Sequence, residues 1–249
     1  MISIRNLSKT FHAGMADEVI ALRDLSLDIR DGEFVVIIGS NGSGKSTLLN
    51  LIFGSLFPDT GSISIDSKDL TQLPEYKRSR WISMVFQNPG NGTAPELSLL
   101  ENFRLAALRT SHKTLVPGID EAFRNRVAAN VKELGMGLEH KLDTPMGSLS
   151  GGQRQALTLL MAVMDKPGIL LMDEPTAALD PKSAALVMEL AADINRRMGV
   201  TILLITHSMK QVLQYGNRLL LFREGSLIKD LSEAEKRNLE TGELYGWFS

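Results

Sequence analysis

The run FVVIIGSNGSGKST, Phe34 to Thr47, constrains this chain more than any other stretch. Phe34–Ile38 is short, wholly apolar and rich in β-branched residues, as expected of a strand covered on both faces of a parallel sheet. It ends at Gly39 and leads through a glycine-rich loop into the helical run Ser46–Phe53. The loop Gly39-Ser40-Asn41-Gly42-Ser43-Gly44-Lys45-Ser46 fits G-x-x-x-x-G-K-[ST], with Thr47 next. Its glycines let the backbone wrap closely around phosphate oxygens, with successive N–H groups pointing inward. The helix that follows adds the positive end of its dipole. In that frame Lys45 can reach the β- and γ-phosphates of a nucleotide, and the Ser46 hydroxyl can ligand Mg²⁺. A glycine-rich hairpin is the bland alternative; the flanking strand and helix argue against it.

Strand and helix signals alternate through much of the rest, so the chain reads as α/β with a mostly parallel sheet. Ile169–Met172 and Val200–Ile205 are further buried-strand candidates, and Leu219–Phe222 is a weaker one. Asp180-Pro181 marks a helix start, an N-cap acid followed by proline at the first helical position. An apolar stripe through Val187, Leu190, Ala191, Ile194 and Met198 follows, with Gly199 as the stop. Residues 97–147 differ in texture. They hold helical runs at Leu99–Leu108 and Asp120–Leu134 around a Thr110–Gly118 loop, and they read as an inserted helical subdomain. Ile2–Arg30 and Gly61–Leu70 look like antiparallel strands and turns flanking the core. The whole of 1–249 is therefore expected to be one unit. Its core and antiparallel β subdomain would cover about 1–96 and 148–230.

Two further clusters carry chemistry. Leu149-Ser150-Gly151-Gly152-Gln153-Arg154-Gln155 opens the helical run Gln153–Met164. Ser150 is placed to cap it, and Gly151 and Gly152 to expose N–H groups at its N-terminus, a second anion site. Alone, Ser-Gly-Gly is more often just a cap and a tight turn. The strand candidate Ile169–Met172 delivers Asp173, Glu174 and Pro175 at its end. Beside a phosphate loop, one acid there can hold Mg²⁺, usually through water, and a second can polarise the attacking water. A solvated acidic pair is the plainer reading of those two residues alone.

Together LSGGQRQ, the phosphate loop and the strand-end acids resemble the ABC ATPases, and the resemblance covers essentially the whole chain. It implies a phosphate-loop NTPase fold with a RecA-like core and ATP hydrolysis with Mg²⁺. It also implies a head-to-tail dimer in which Ser150–Gln153 of one copy cover the γ-phosphate held by the other. By the same resemblance Asp173 is the Mg²⁺-side aspartate, Glu174 the general base and His207 a switch histidine touching the γ-phosphate. Gln87, after Ile82–Phe86, meets Mg²⁺ and the attacking water. Asp180, with Ala178-Leu179, belongs to the dimer-contact loop. Phe11 lies where the family usually stacks an aromatic ring on adenine, and the adjacent His12 competes for that role.

Leu73–Arg78, Phe86–Pro89, Gly92–Ala94 and Leu149–Met161 are similar to a set of ATPases serving bacterial importers. Those work with an integral membrane permease and a periplasmic or lipoprotein substrate-binding protein for aromatic amino acids or related small solutes. Two other readings stay open: an ABC ATPase regulating a membrane complex without transport, and a soluble one of the repair, translation or iron–sulfur kind. One cassette without coiled-coil or zinc insertions disfavours the last.

The bulk numbers agree. A net charge of −2 and a pI near 6.1 disfavour a sequence-independent grip on nucleic acid. No cysteine means no disulfide or thiolate metal site, which fits a reducing cytosol. Met1–Arg5 alternates like a strand and does not read as a signal peptide. No stretch approaches the roughly 18 apolar residues that span a bilayer. The expected place is cytoplasmic, at the inner face of the membrane through a permease.

Overall fold

A computed structural model describes residues 1–109 and 118–247. The chain begins with β1 (Ile2–Phe11), β2 (Val19–Ile29), β3 (Phe34–Gly39) and α1 (Lys45–Phe53). Next come β4 (Thr60–Ile65), β5 (Lys68–Asp69), α2 (Glu75–Arg78) and β6 (Ile82–Val85). Helices α3 (Leu99–Ala107), α4 (Glu121–Lys132) and α5 (Gly151–Val163) follow, then β7 (Ile169–Asp173), α6 (Pro181–Met198) and β8 (Thr201–Ile205). The chain closes with α7 (Met209–Gln214), β9 (Arg218–Arg223), β10 (Ser226–Leu231), α8 (Glu233–Arg237) and α9 (Thr241–Gly246).

The larger sheet runs β10-β9-β3-β8-β7-β6 and is parallel except for β10. Every residue of β3, β6 and β8 is buried, which explains why these strands are apolar, apart from Ser83 in β6 and Thr201 in β8, instead of alternating. Within β3 the period of two sorts side chains into different cores. Phe34, Val36 and Ile38 face the core that includes α3 to α6, whereas Val35 and Ile37 face the core that includes α1 and the smaller sheet. That smaller sheet, β2-β1-β4-β5, is antiparallel.

Between β6 and α5 the described residues hold helices, 3₁₀ turns and one isolated bridge, Ser98 to Pro145. Ser98 caps α3 in a box with Glu101, and Asp120 caps α4. Helix α4 buries Phe123, Val127 and Val131 on one face. Of the expected Thr110–Gly118 loop, all but Gly118 lies outside the described residues. Asp180 and Gly199 bound α6 as its sequence signals require.

The contacts of Arg78 were not foreseen. Helix α1 ends at Gly54, and the fully buried Arg78 guanidinium donates to Leu51 O (2.6 Å), Ile52 O (2.8 Å), Leu73 O (2.6 Å) and Thr71 O (3.1 Å). It satisfies carbonyls left over at the helix C-terminus with a cation, which suits the dipole there. Burial pulls its pKa down to about 10, so it stays charged at neutral pH.

Candidate active site

The parallel strands β3, β6, β7 and β8 all end on one side of the sheet, and of the expected site residues Lys45, Ser46, Asp173, Glu174 and His207 gather there. Val85 pairs with Met172, and Asp173 with Ile205. Gln87 follows two residues past the end of β6, the strand next to β7, and His207 lies just past β8. Such a crevice beyond the carboxyl ends of parallel strands is where ligands of open α/β folds bind.

Gly44 is the N-cap of α1 at φ 97°, a left-handed conformation that favours glycine. A Cβ there would stand 2.2 Å from Ala21 O. No side chain caps α1, so its first N–H groups are offered to an anion. Lys45 is buried and donates from Nζ to Gly39 O (2.9 Å) and Ser40 O (2.8 Å), with Ser43 Oγ at 3.4 Å. Burial lowers its pKa, while the charges of Glu174 and Asp173 act the other way.

Ser46 Oγ donates to Asp173 Oδ1 at 3.2 Å, joining the start of α1 to the end of β7. Burial pushes the Asp173 carboxyl up, and the Ser46 hydrogen bond partly offsets this. One hydroxyl and one carboxylate are too few for an all-protein cage. They match Mg²⁺, which keeps waters and phosphate oxygens and takes one or two hard oxygens from protein.

Glu174 adopts φ 46°, which costs about 1–2 kcal/mol for a non-glycine residue. Its N–H is held by Ile205 O at 3.1 Å, and its Oε1 lies 2.7 Å from His207 Nε2. A left-handed φ on the residue after a strand-end aspartate, tied down by its own N–H, fixes the direction of the Glu174 side chain.

Phe11, the last residue of β1, is half-buried and pairs with Val19. Its hairpin reaches the phosphate loop through Ala21 and Leu22, which pack against Gly44. Met15, Val19 and Ile20 around it are exposed apolar residues, a suitable platform for a flat ring. The competing His12 is turned to Asp17, Nδ1 to Oδ2 2.5 Å.

Ser150 and Gln153 are not beside the phosphate loop. Leu149, Ala156 and Leu157 of the α5 region belong to the other core, across the sheet from α1. Ser150 Oγ accepts from Gln153 N at 3.3 Å, and Gln153 Oε1 accepts from Ser150 N at 3.1 Å. The two glycines also differ. Gly151 is exposed, whereas Gly152 is buried and packed so closely on α6 that a Cβ would lie 2.3 Å from Ser183 Oγ. Asp180, exposed, caps α6 by accepting from Lys182 N and Ser183 N.

Residues that sequence reasoning missed are polar and buried. Gln155 donates to Phe86 O at 3.1 Å, tying α5 to the residue before Gln87. Asn102 accepts from Ala94 N at 2.7 Å and donates to Ala94 O (2.9 Å) and Ser98 O (2.9 Å), pinning the loop that leads into α3.

The family profile described as ABC transporter matches residues 22–177. The chain belongs to that family. It is an ATPase subunit of the ABC transporter kind. Over 247 residues it is 42% identical to the "Tyrosine transport ATP-binding protein" of Clostridioides difficile (strain R20291), covering 98% of this chain and 97% of that one. It is 36% identical to the "Methionine import ATP-binding protein MetN" of Escherichia coli (strain K12), over 94% of this chain and 66% of that protein. Among solved structures, a dimeric ATP-binding cassette in a post-hydrolysis state with ADP and Pi superposes with a TM-score of 0.80. That pair is 30% identical and covers 94% of this chain and 99% of the other.

Proposed function

We propose that this ABC ATPase closes head-to-tail on a second copy around two ATP molecules and drives a separate membrane permease. The observation that carries the dimer is the separation within one chain. Lys45, Ser46, Asp173, Glu174 and His207 form one cluster, while Ser150 and Gly151 stand exposed on the far side of the sheet. Only a neighbour's Ser150 and Gly151 can complete the cluster. That a similar cassette was solved as a dimer with ADP and Pi supports the reading.

In the closed site the N–H groups of the phosphate loop and Lys45 bind and orient the β- and γ-phosphates. Phe11 packs on adenine, an interaction worth roughly 1–3 kcal/mol by analogy with other base–aromatic stacks. Ser46 and Asp173, with Gln87 nearby, would hold Mg²⁺, which supplies charge neutralisation on the phosphate oxygens. Glu174 accepts the proton of the attacking water, and His207, 2.7 Å from it, positions that carboxylate and meets the γ-phosphate. The partner's Ser150 hydroxyl and Gly151 N–H stabilise negative charge developing on the γ-phosphoryl group.

Among the described residues no helix is long and apolar enough to cross a membrane. We place the docking surface for the permease at the Asn88–Glu96 loop. There a shallow cleft of about 400 Å³ is lined by Gly92, Ala94, Asn102, Leu105 and Met161, with Leu105 half exposed. Residues of about 97–147 act as the helical subdomain that carries nucleotide state from Gln87 to this surface. Relatives named for tyrosine transport and methionine import support solute import, fed by a substrate-binding protein, with an amino acid as cargo. The ATPase then works at the cytoplasmic face of the membrane.

Glu174→Gln tests the mechanism. It should slow hydrolysis by about 10²–10⁴-fold, as loss of a general base does, while ATP accumulates the dimer on a sizing column. Normal turnover would refute the assignment.

A further inference from the structure

Behind His207 lies a buried polar relay that the chemistry above does not use. Thr206, the residue before His207, is 4% exposed and donates from Oγ1 to Gln211 Oε1 at 2.6 Å. Gln211, on α7 and also buried, donates from Nε2 to Thr176 Oγ1 at 2.9 Å. Ser208 N donates to Thr206 Oγ1 at 3.1 Å, and Gln211 N to Ser208 Oγ at 3.4 Å. One amide thus has its oxygen and its nitrogen engaged by two different loops. Thr206 adjoins the histidine that meets the γ-phosphate. Thr176 stands two residues past Glu174 in the loop that runs to Asp180, and Leu179 N is anchored on Thr176 O at 3.2 Å.

We propose that Gln211 is a positioning residue that couples the His207 loop to the Glu174–Asp180 loop. Through it, ATP occupancy at one site sets the shape of the loop presented to the second copy. The proposal rests on the roles given above to Glu174, His207 and Asp180. Its physical ground is an asymmetry of cost. The Glu174–His207 pair is partly exposed, at 23% and 41%, so water can replace either partner. The bond between Gln211 and Thr206 is buried, and breaking it strands a desolvated polar atom at roughly 1–3 kcal/mol, while the bond to Thr176 is partly buried. A displacement of the His207 loop is therefore passed to Thr176 instead of being absorbed. Coupling of this kind needs a physical link that both sites bias, and the relay supplies one.

The test is ATP hydrolysis by the full chain against ATP concentration, together with equilibrium ATP binding and thermal melting. Gln211→Leu keeps the volume and removes both hydrogen bonds. It should lower kcat about 10-fold, the equivalent of one oriented hydrogen bond, and turn a sigmoidal ATP dependence hyperbolic. ATP binding by the monomer should stay at its wild-type strength. Thr176→Val should reproduce the loss of cooperativity, and the double variant should be no worse than either single one. A Gln211→Leu chain that keeps the sigmoidal curve, or loses activity only in step with its folded fraction, would show a purely structural role and overturn the proposal. A hyperbolic wild type would overturn it too, since no coupling would exist to transmit. Normal turnover in Glu174→Gln strikes the base assignment separately, whatever Gln211 does.

Discussion

One methyl group added at Gly152 should separate two adjacent glycines that look alike in sequence. A Cβ there falls 2.3 Å from Ser183 Oγ and 2.5 Å from Ser183 Cβ, so α5 and α6 must move apart. Overpacking of this kind costs about 1–3 kcal/mol, and replacing a helical glycine returns about 0.5–1 kcal/mol. The net loss is about 1 kcal/mol, or roughly 2–4 °C in Tm for a chain of this size. At Gly151 the same methyl meets only Leu179 Cδ2 at 3.6 Å, an ordinary contact. Gly151→Ala should thus melt at or slightly above the wild-type temperature, yet impair ATP-driven dimerisation, because its exposed face is the one offered to the neighbour's phosphate. Calorimetry of both variants, followed by sizing columns with ATP in a Glu174→Gln background, measures the two effects apart. Adding Ser183→Gly to Gly152→Ala should recover much of the lost Tm. If Gly152→Ala melts with the wild type, or if both variants lose the same stability, the packing argument is wrong.

Ser150→Arg should remove an N-cap worth about 1 kcal/mol and block the composite site. Monomeric ATP binding is then kept while turnover and dimerisation are lost; a variant that keeps both would end the two-copy reading. Lys236 gives a pH signature. It is buried with Nζ donating to the carbonyls of Tyr215 and Gly216, and burial pulls its pKa down to about 8 from the ordinary 10.5. The unfolded chain therefore binds more protons between these two values, and stability rises with pH across that window. The wild-type Tm, measured against Lys236→Met, should climb from pH 7 to pH 10. An unchanged difference would mean that the amine is not desolvated.

The elements readable from sequence were those whose physics is local. Phe34–Ile38 and Ile169–Met172 announce strands because burial on both faces leaves only apolar residues, and Asp180-Pro181 and Gly199 mark a helix by its own ends. The phosphate loop is legible for the same reason, since its binding groups are backbone atoms of one short segment. Element ends were off by a residue or two where caps decide them: α5 starts at Gly151 after Ser150 instead of at Gln153. What stayed hidden depends on partners distant in sequence. Arg78 is four bonds to carbonyls of Leu51, Ile52, Thr71 and Leu73, and nothing in EYKR distinguishes it from a solvated arginine. Gln211 and Thr176 are 35 residues apart. Gly152 reads as a flexible turn until α6 is placed against it.

The alternation in β3 has a genetic consequence. In the dimer proposed above, with α1 bedded on one side of the sheet and α5 on the other, a single chain does not supply both faces of one ATP, and each chain contributes once to each site of a pair. In a dimer of identical copies every substitution is then present twice, and no allele can silence one site alone. Mixing breaks that symmetry: a Lys45 variant paired with a Ser150 variant would concentrate both defects in one site and leave the other wholly wild type. Such a mixed pair, made from two dead proteins, should recover hydrolysis.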